Sequence, residues 1–339
     1  RSHRARTATS SAIRDLLEQA RRPGMISLAG GIPDPARFPL DHLAPLVERS
    51  VREQGRSVLQ YGLTSGEPGV REVLARTIHA ELDPEHVVVT TGSQQGLDLL
   101  ARVTVDPGDA VVVGDPDYLG ALQVFRSYGA ELAPIPIDAD GLQVDVLAER
   151  LAAGLRPTMC YVVVHFHNPT GATLSAERRA QLHQLAEQYG FLVIEDDPYR
   201  ELYYDDNAPE GPPPGADNLV QLRSVSKILT PGLRLGWMTG PPWLLDDVVI
   251  QKQAVDLHTS TLSQAIAAEA LEAPWFREHV GGLRHSYGAK RDALVDALHA
   301  QLGNAITTND PTGGMFAWVQ MADGVDTTKL LTRALDEGV

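Results

Sequence analysis

One lysine in this chain stands where an amine can be made reactive. In the stretch 222–237, LRSVSKILTPGLRLGW, Lys227 is flanked by Val225, Ile228 and Leu229. Apolar neighbours strip hydration from an ammonium, lower its pKa and leave a neutral amine able to form a Schiff base. Ser224, Ser226 and Arg234 add hydroxyl and guanidinium donors suited to a phosphate beside that amine. The same residues also fit a plainer reading, a strand ending in a basic loop with an exposed lysine, because S-x-S-K is a short pattern.

Other polar candidates recur at the same kind of place. Ser93 and Gln94 follow an apolar strand at 86–90 and the Gly92 turn, Tyr118 follows a strand at 110–114, and Asn168 follows a strand at 159–166. Asp196, three residues before Tyr199, follows the apolar run 191–194, and Lys227 follows the strand at 218–222. Helices are expected at 97–103, 120–128 and 175–189, the last opening on Ser175 with Glu177 behind it. Alternating strands and helices predict an α/β architecture, a mainly parallel sheet with helices on both faces. In open sheets of that kind ligands bind at the carboxyl edge of the strands, where all these residues fall. Ser93 and Gln94 also sit where a helix start presents free N–H groups and the positive end of its dipole, an anion site. Residues 235–238 read as an antiparallel return strand.

Ahead of this core, residues 7–21 carry apolar positions at helical spacing, and helices are expected at 41–54 and 70–82. Between them ISLAGGIPDPARFP is a loop whose Gly30 and Gly31 let a ligand approach bare backbone, or else a plain turn. Beyond the core come helical stretches at 244–270 and 275–302, a strand at 313–319 and a helix at 328–337. These read as a connecting helix and a smaller α+β lobe. Residues 41–245 are therefore expected to form a large domain, with 1–40 and 246–339 supplying an N-terminal segment and a small one; 209–215 is a surface loop. Both ends read as incomplete, since the chain opens at Arg1 and stops at Val339 just after a helix, where a strand would follow.

Composition narrows the function classes. A chain of 339 residues exceeds what one core usually carries, and no apolar run approaches the roughly 18 residues of a membrane helix. The net charge of −15 disfavours nucleic acid and anionic membranes as partners. The single cysteine, Cys160, excludes an internal disulfide and a cysteine-rich zinc site, and fits a reducing cytoplasm. No dinucleotide or P-loop glycine pattern occurs. Glu195, Asp196 and Asp197 could suggest a metal cluster, but neighbours in a strand point to opposite faces. His165 and His167 share a face without a third ligand pattern, so no metal is expected.

Taken in order, SAIRDLL, ISLAGGIPDPARFP, TTGSQQGLDLL, DPDY, HNPTGATLS, FLVIEDDPY, SVSKILTPGLRLGW and GGMFAWV span nearly the whole chain. Each is modest alone, but the ordered set resembles a fold-type I pyridoxal-phosphate (PLP) aminotransferase of the kynurenine and 2-aminoadipate subgroup. The resemblance implies a seven-stranded-type sheet and amino-group transfer between an L-amino acid and a 2-oxo acid, with 2-oxoglutarate and glutamate as one pair. It makes Lys227 the Schiff-base lysine, sets Asp196 against the ring nitrogen, and gives the phosphate to Ser93, Gln94, Ser224, Ser226 and Arg234. Tyr118 would stack on the pyridine ring, and Asn168 and Tyr199 would bond its 3′-oxygen. Tyr61 would reach the phosphate of a neighbouring subunit, which implies a homodimer with shared sites. Gly31, Asn168 and Arg14 would meet the substrate, Arg14 at a distal carboxylate unless it is a solvated helix-face residue. Family members also carry a late arginine that clamps the α-carboxylate, and this sequence stops before it.

Two other functions fit parts of the pattern. Another PLP reaction at Cα, such as oxidation, elimination or decarboxylation, would use the same fold. A ligand-sensing domain of the aminotransferase-like regulators would need a DNA reader ahead of ISLAGG, and the acidic balance argues against one. The sequence names neither the amino acid, the oxo acid nor the pathway.

Overall fold

The computed structural model describes residues 24–28, 30–205, 207–211, 216–322 and 324–339. The helix expected at 7–21, with Arg14, lies outside them, as does 212–215 of the expected surface loop.

The sheet is made of short strands rich in β-branched residues: β1 (Val87–Thr90), β2 (Ala110–Asp115), β3 (Glu131–Asp138), β4 (Gly141–Leu142), β5 (Pro157–Val163), β6 (Leu192–Asp196), β7 (Leu219–Ser224) and β8 (Gly236–Thr239). Their order is β1-β8-β7-β6-β5-β2-β3-β4. Strands β7, β6, β5, β2 and β3 run parallel, and β8 is the antiparallel return, paired to β7 on one side and β1 on the other. Apart from the two-residue β4, this is the seven-stranded mixed sheet that was expected.

Strand β3 escapes a sequence reading because Pro134 and Pro136 argue against a strand. Residues 131–136 lie along β2, while Ile137 and Asp138 meet β4. The two prolines are two positions apart, so their nitrogens face the same way, toward the open edge where no donor is needed.

Helices α1 (Leu40–Val58), α2 (Pro68–Ile78), α3 (Ser93–Thr104), α4 (Leu119–Ser127), α5 (Val144–Ala152) and α6 (Ala176–Tyr189) fill the connections. One sheet face, with Val111, Val113, Met159, Tyr161 and Ile194, packs on Leu97 and Leu100 of α3 and Phe125 of α4. The other, with Val112, Cys160, Val162 and Val193, packs on Leu147 and Leu151 of α5 and Leu182 of α6. The buried valines explain why these strands read as continuous apolar runs rather than alternating ones.

Two later expectations are corrected. The helical stretch read at 244–270 is two helices, α7 (Pro242–Val255) and α8 (Thr261–Glu272). It breaks at Leu257, whose φ is +64°, and α8 restarts on Ser260, whose hydroxyl accepts from Ser263 N. The strand read at 313–319 begins only at Val319, where β10 (Val319–Met321) pairs with β9 (Ile306–Thr308), the strand that follows α9 (Pro274–Leu302). Residues 313 and 314 are drawn elsewhere: Gly314 N donates to Leu202 O at 2.9 Å, and the Tyr204 hydroxyl to Gly314 O at 2.6 Å. Helix α10 (Thr327–Asp336) starts on Asp326, which accepts from Thr328 N and Lys329 N. Among the described residues no helix is long and apolar enough to cross a membrane.

Candidate active site

The turn after β7 carries Lys227 back over the carboxyl edge of the sheet. Its Nζ donates to Gly31 O at 2.6 Å and lies 5.8 Å from the centroid of the Tyr199 ring. Burial lowers its pKa to about 8, the Arg234 guanidinium adding to the effect and Asp196 opposing it.

Asp196 ends β6 and is buried. The Tyr161 hydroxyl donates to its Oδ2 at 2.9 Å, whereas Oδ1 is buried with no hydrogen-bond partner among the described residues. Burial pushes this carboxyl up to about 7; the Tyr161 donation pulls it down, and Asp197 and Asp117 push it further up. Both neighbouring aspartates have partners. Asp117 accepts from Gly114 N at 2.6 Å and Tyr118 N at 2.7 Å, with His167 Nε2 at 3.1 Å. Asp197 lies 2.8 Å from His165 Nδ1 and 3.6 Å from Arg223.

Glu195 points elsewhere. Arg179 donates to it twice, at 2.7 and 2.6 Å, with His183 at 3.0 Å. Burial favours its neutral form, but these partners hold it down to about 2. The acidic triplet therefore occupies three environments. Among the described residues there is no group of three or more side chains that could hold a metal.

An anion cup forms at the start of α3. Gly92, at φ +78°, precedes the helix without a side-chain cap, leaving the first-turn N–H groups of Ser93 and Gln94 for a ligand. A Cβ on Gly92 would fall 2.6 Å from Arg234 Nη2 and would be strained at this φ, so glycine leaves the guanidinium its present position. The hydroxyls of Ser224 and Ser226 are 2.8 Å apart, and Ser224 donates to Leu235 O at 3.0 Å. Gln94 spans to α4, donating to Gly120 O at 3.1 Å and accepting from the Tyr118 hydroxyl at 3.2 Å.

Tyr199 is buried, hydrogen-bonded to Asn168 and edge-on to Phe316 with ring centroids 5.7 Å apart. Burial, then the nearby Asp196, raises its pKa well above the ordinary phenol value. Burial and Asp196 also raise Tyr118, with Arg234 opposing.

The structure thus brings Gly31, Ser93, Gln94, Tyr118, Asn168, Asp196, Tyr199, Ser224, Ser226, Lys227 and Arg234 to one edge. Tyr61 stands apart, 77% exposed, with its ring edge-on to His258 at 5.8 Å. Arg14 lies outside the described residues. Sequence reasoning missed Tyr161, Asp117 and Phe316. A tyrosine inside the apolar run of β5 was the available signal, since a buried phenol needs a hydrogen-bond partner.

The chain matches the family described as "Aminotransferase class I and II" over residues 23–339. It is 37% identical to an aromatic-amino-acid aminotransferase of Thermococcus litoralis over 349 residues, covering 100% of this chain and 84% of the relative. It is 38% identical to a 2-aminoadipate transaminase of Thermus thermophilus over 338 residues, covering 97% and 83% of the two chains. The crystal structure of Pyrococcus horikoshii kynurenine aminotransferase in complex with PMP is 36% identical, with a TM-score of 0.94 over 100% of this chain and 86% of that one.

Proposed function

The chain belongs to the class I and II aminotransferase family, a pyridoxal-phosphate-dependent transaminase, and from that premise we propose that Lys227, Asp196 and Tyr199 carry its amino-group transfer. The substrates are an amino acid and a 2-oxo acid. The proposal takes 2-oxoglutarate and glutamate as one pair, and includes aromatic amino acids and 2-aminoadipate among the donors because relatives bear those names.

The residues fit the cofactor, and one observation carries the reading: Oδ1 of Asp196 is buried and unpartnered at the edge where the cup, Tyr118 and Lys227 meet. A buried carboxylate oxygen needs a cation or a donor, and a protonated pyridine nitrogen is one. When bound, the cofactor supplies a protonated ring that draws electrons from the substrate's Cα.

The chain's own groups do the rest. Asp196 holds the proton on the ring nitrogen. Ser93, Gln94, Ser224, Ser226 and Arg234 would hold the phosphate, Tyr118 would face the ring, and Asn168 and Tyr199 would hold the 3′-oxygen. Lys227 takes the proton from Cα and returns it as an acid; its pKa near 8 keeps both forms populated near neutral pH. Gly31 O orients that amine, and Gly31, Asn168 and Arg14 contact the substrate.

The proposal also includes a homodimer in which Tyr61 reaches the partner's phosphate. Exposed Tyr61, Leu59, Leu63 and Leu257 support it, since large apolar residues standing in water mark contact surfaces. The division into residues 41–245 against 1–40 and 246–339 belongs to the same reading, as does a cytoplasmic location, which the unpaired, buried Cys160 supports. The test incubates the purified protein with single amino acids and 2-oxoglutarate, following both glutamate and oxygen uptake. Glutamate formed one-for-one with the new oxo acid is the expected result; oxygen uptake, or product without glutamate, would replace transfer by another reaction at Cα.

A further inference from the structure

Three carboxylates crowd the floor of the site, and two have cationic or imidazole partners: Asp117 has His167 and Asp197 has His165 and Arg223. Among the described residues Asp196 has neither, and the one hydrogen bond to its carboxylate is from a neutral phenol, Tyr161. That bond is built into the sheet. Val163 is the register partner of Asp196 and Tyr161 that of Ile194, so Tyr161 and Asp196 project from the same face on adjacent strands, two positions apart. Tyr161 is fully buried, wedged edge-on against Phe125 with ring centroids 5.8 Å apart, so the hydroxyl is held in place.

We propose that Tyr161 is a positioning residue that fixes which oxygen of Asp196 meets the cofactor's ring nitrogen and keeps the shared proton on that nitrogen rather than on the carboxylate. The inference rests on the Asp196 assignment above. With Oδ2 occupied by the phenol, Oδ1 is the oxygen left for the ring. The phenol also stabilises the carboxylate anion. In a buried pair of carboxylate and pyridinium the competing state is a neutral acid beside a neutral pyridine, which burial favours. Around Asp196, burial and the charges of Asp197 and Asp117 favour that neutral acid, while Tyr161 and the Lys227 ammonium oppose it. Lys227 changes charge during turnover, so the phenol is the constant opponent. The proton stays within the pair and only its position changes; no other reactant is required.

The test compares holoenzyme carrying cofactor labelled with 15N in the ring, in wild type, Tyr161→Phe and Asp196→Asn. Tyr161→Phe should retain the cofactor, move the ring 15N resonance from the pyridinium toward the neutral pyridine position, and lower kcat about 10- to 100-fold, the effect of one hydrogen bond to a charged group. Asp196→Asn should move the resonance fully. A wild-type resonance in Tyr161→Phe, with Asp196→Asn shifted, overturns the role of Tyr161 alone; a wild-type resonance in Asp196→Asn overturns the assignment of Asp196. Should Tyr161→Phe not fold, 3-fluorotyrosine placed at 161 gives a 19F signal, expected to shift on cofactor removal and in the Asp196→Asn background. A signal indifferent to both changes overturns the proposal.

Discussion

The Nζ of Lys227 meets the carbonyl oxygen of Gly31 at 2.6 Å, joining the loop before α1 to the turn after β7 at the reactive amine. Gly31 is held by packing as well, since a Cβ there would fall 2.6 Å from Phe316 Cζ, and Phe316 in turn packs on Tyr199. Gly31→Ala should therefore displace the loop and lower kcat/KM for the amino acid by about 10- to 100-fold, the scale of a misplacement near 1 Å. Cofactor affinity, read by fluorescence titration, should stay within about twofold, because the anion cup lies elsewhere; a loss of cofactor binding equal to the loss of kcat/KM would separate Gly31 from substrate placement.

Lys227→Ala should retain cofactor through the cup, yet borohydride should no longer attach it to the protein, and turnover should fall by at least about 10²-fold. In the native protein, burial places the midpoint of the amine near pH 8. Above that pH the amine is neutral and nucleophilic, so the rate at which cofactor-free enzyme captures added cofactor should rise between roughly pH 7 and 9. A solvated lysine would give a rise centred near pH 10.4. Stopped-flow absorbance across that range distinguishes the two.

Asp196 has a folded pKa near 7, above its unfolded value of about 3.9. Between those values the folded state binds the extra proton, so stability falls as pH rises through that window, and the penalty is complete above it. In cofactor-free protein, Asp196→Asn removes the buried charge and should raise Tm by a few degrees at pH 8, with the two proteins converging near pH 4. Differential scanning calorimetry at both pH values checks the sign; a variant less stable at pH 8 would mean that the protein itself stabilises the carboxylate anion.

Arg234 approaches Gly92 and the start of α3 from the far side of the cup. Losing a charge-assisted contact of this kind costs about 1.5–3 kcal/mol, so Arg234→Ala should weaken PLP binding roughly 10- to 150-fold. Pyridoxal without phosphate should bind wild type and variant alike in equilibrium dialysis. An equal loss for both would place Arg234 at the ring rather than the phosphate.

Much of the site was legible because its residues follow strand ends, and apolar runs ending in Gly, Pro, Asn or Asp mark those ends: GDPDY, HNPTG and EDDPY all fall at the carboxyl edge. What stayed hidden depends on long-range packing. The prolines of β3 are tolerated only because one side of that strand is open, which local sequence does not announce. The α7–α8 break follows a tertiary network, in which Lys252, fully buried, bonds Asp256 at 2.8 Å and Gln95 at 3.1 Å and so turns the chain toward α3. Tyr161 is one aromatic inside an apolar run, and its chemistry appears only when β5 and β6 are placed in register.

The position of β1 bears on how the protein comes to be assembled. Among the described residues β1 pairs with β8 alone in the sheet, and the pairing joins Val87 to Thr239 and Thr90 to Gly236. A nascent chain therefore makes β1 long before β8 exists, and closing so large a loop is entropically slow. The anion cup straddles that seam, with Ser93 just past β1 and Arg234 just ahead of β8. Phosphate affinity consequently arises only once this pairing has closed, which leaves any chain with β1 still unpaired unable to hold the ligand.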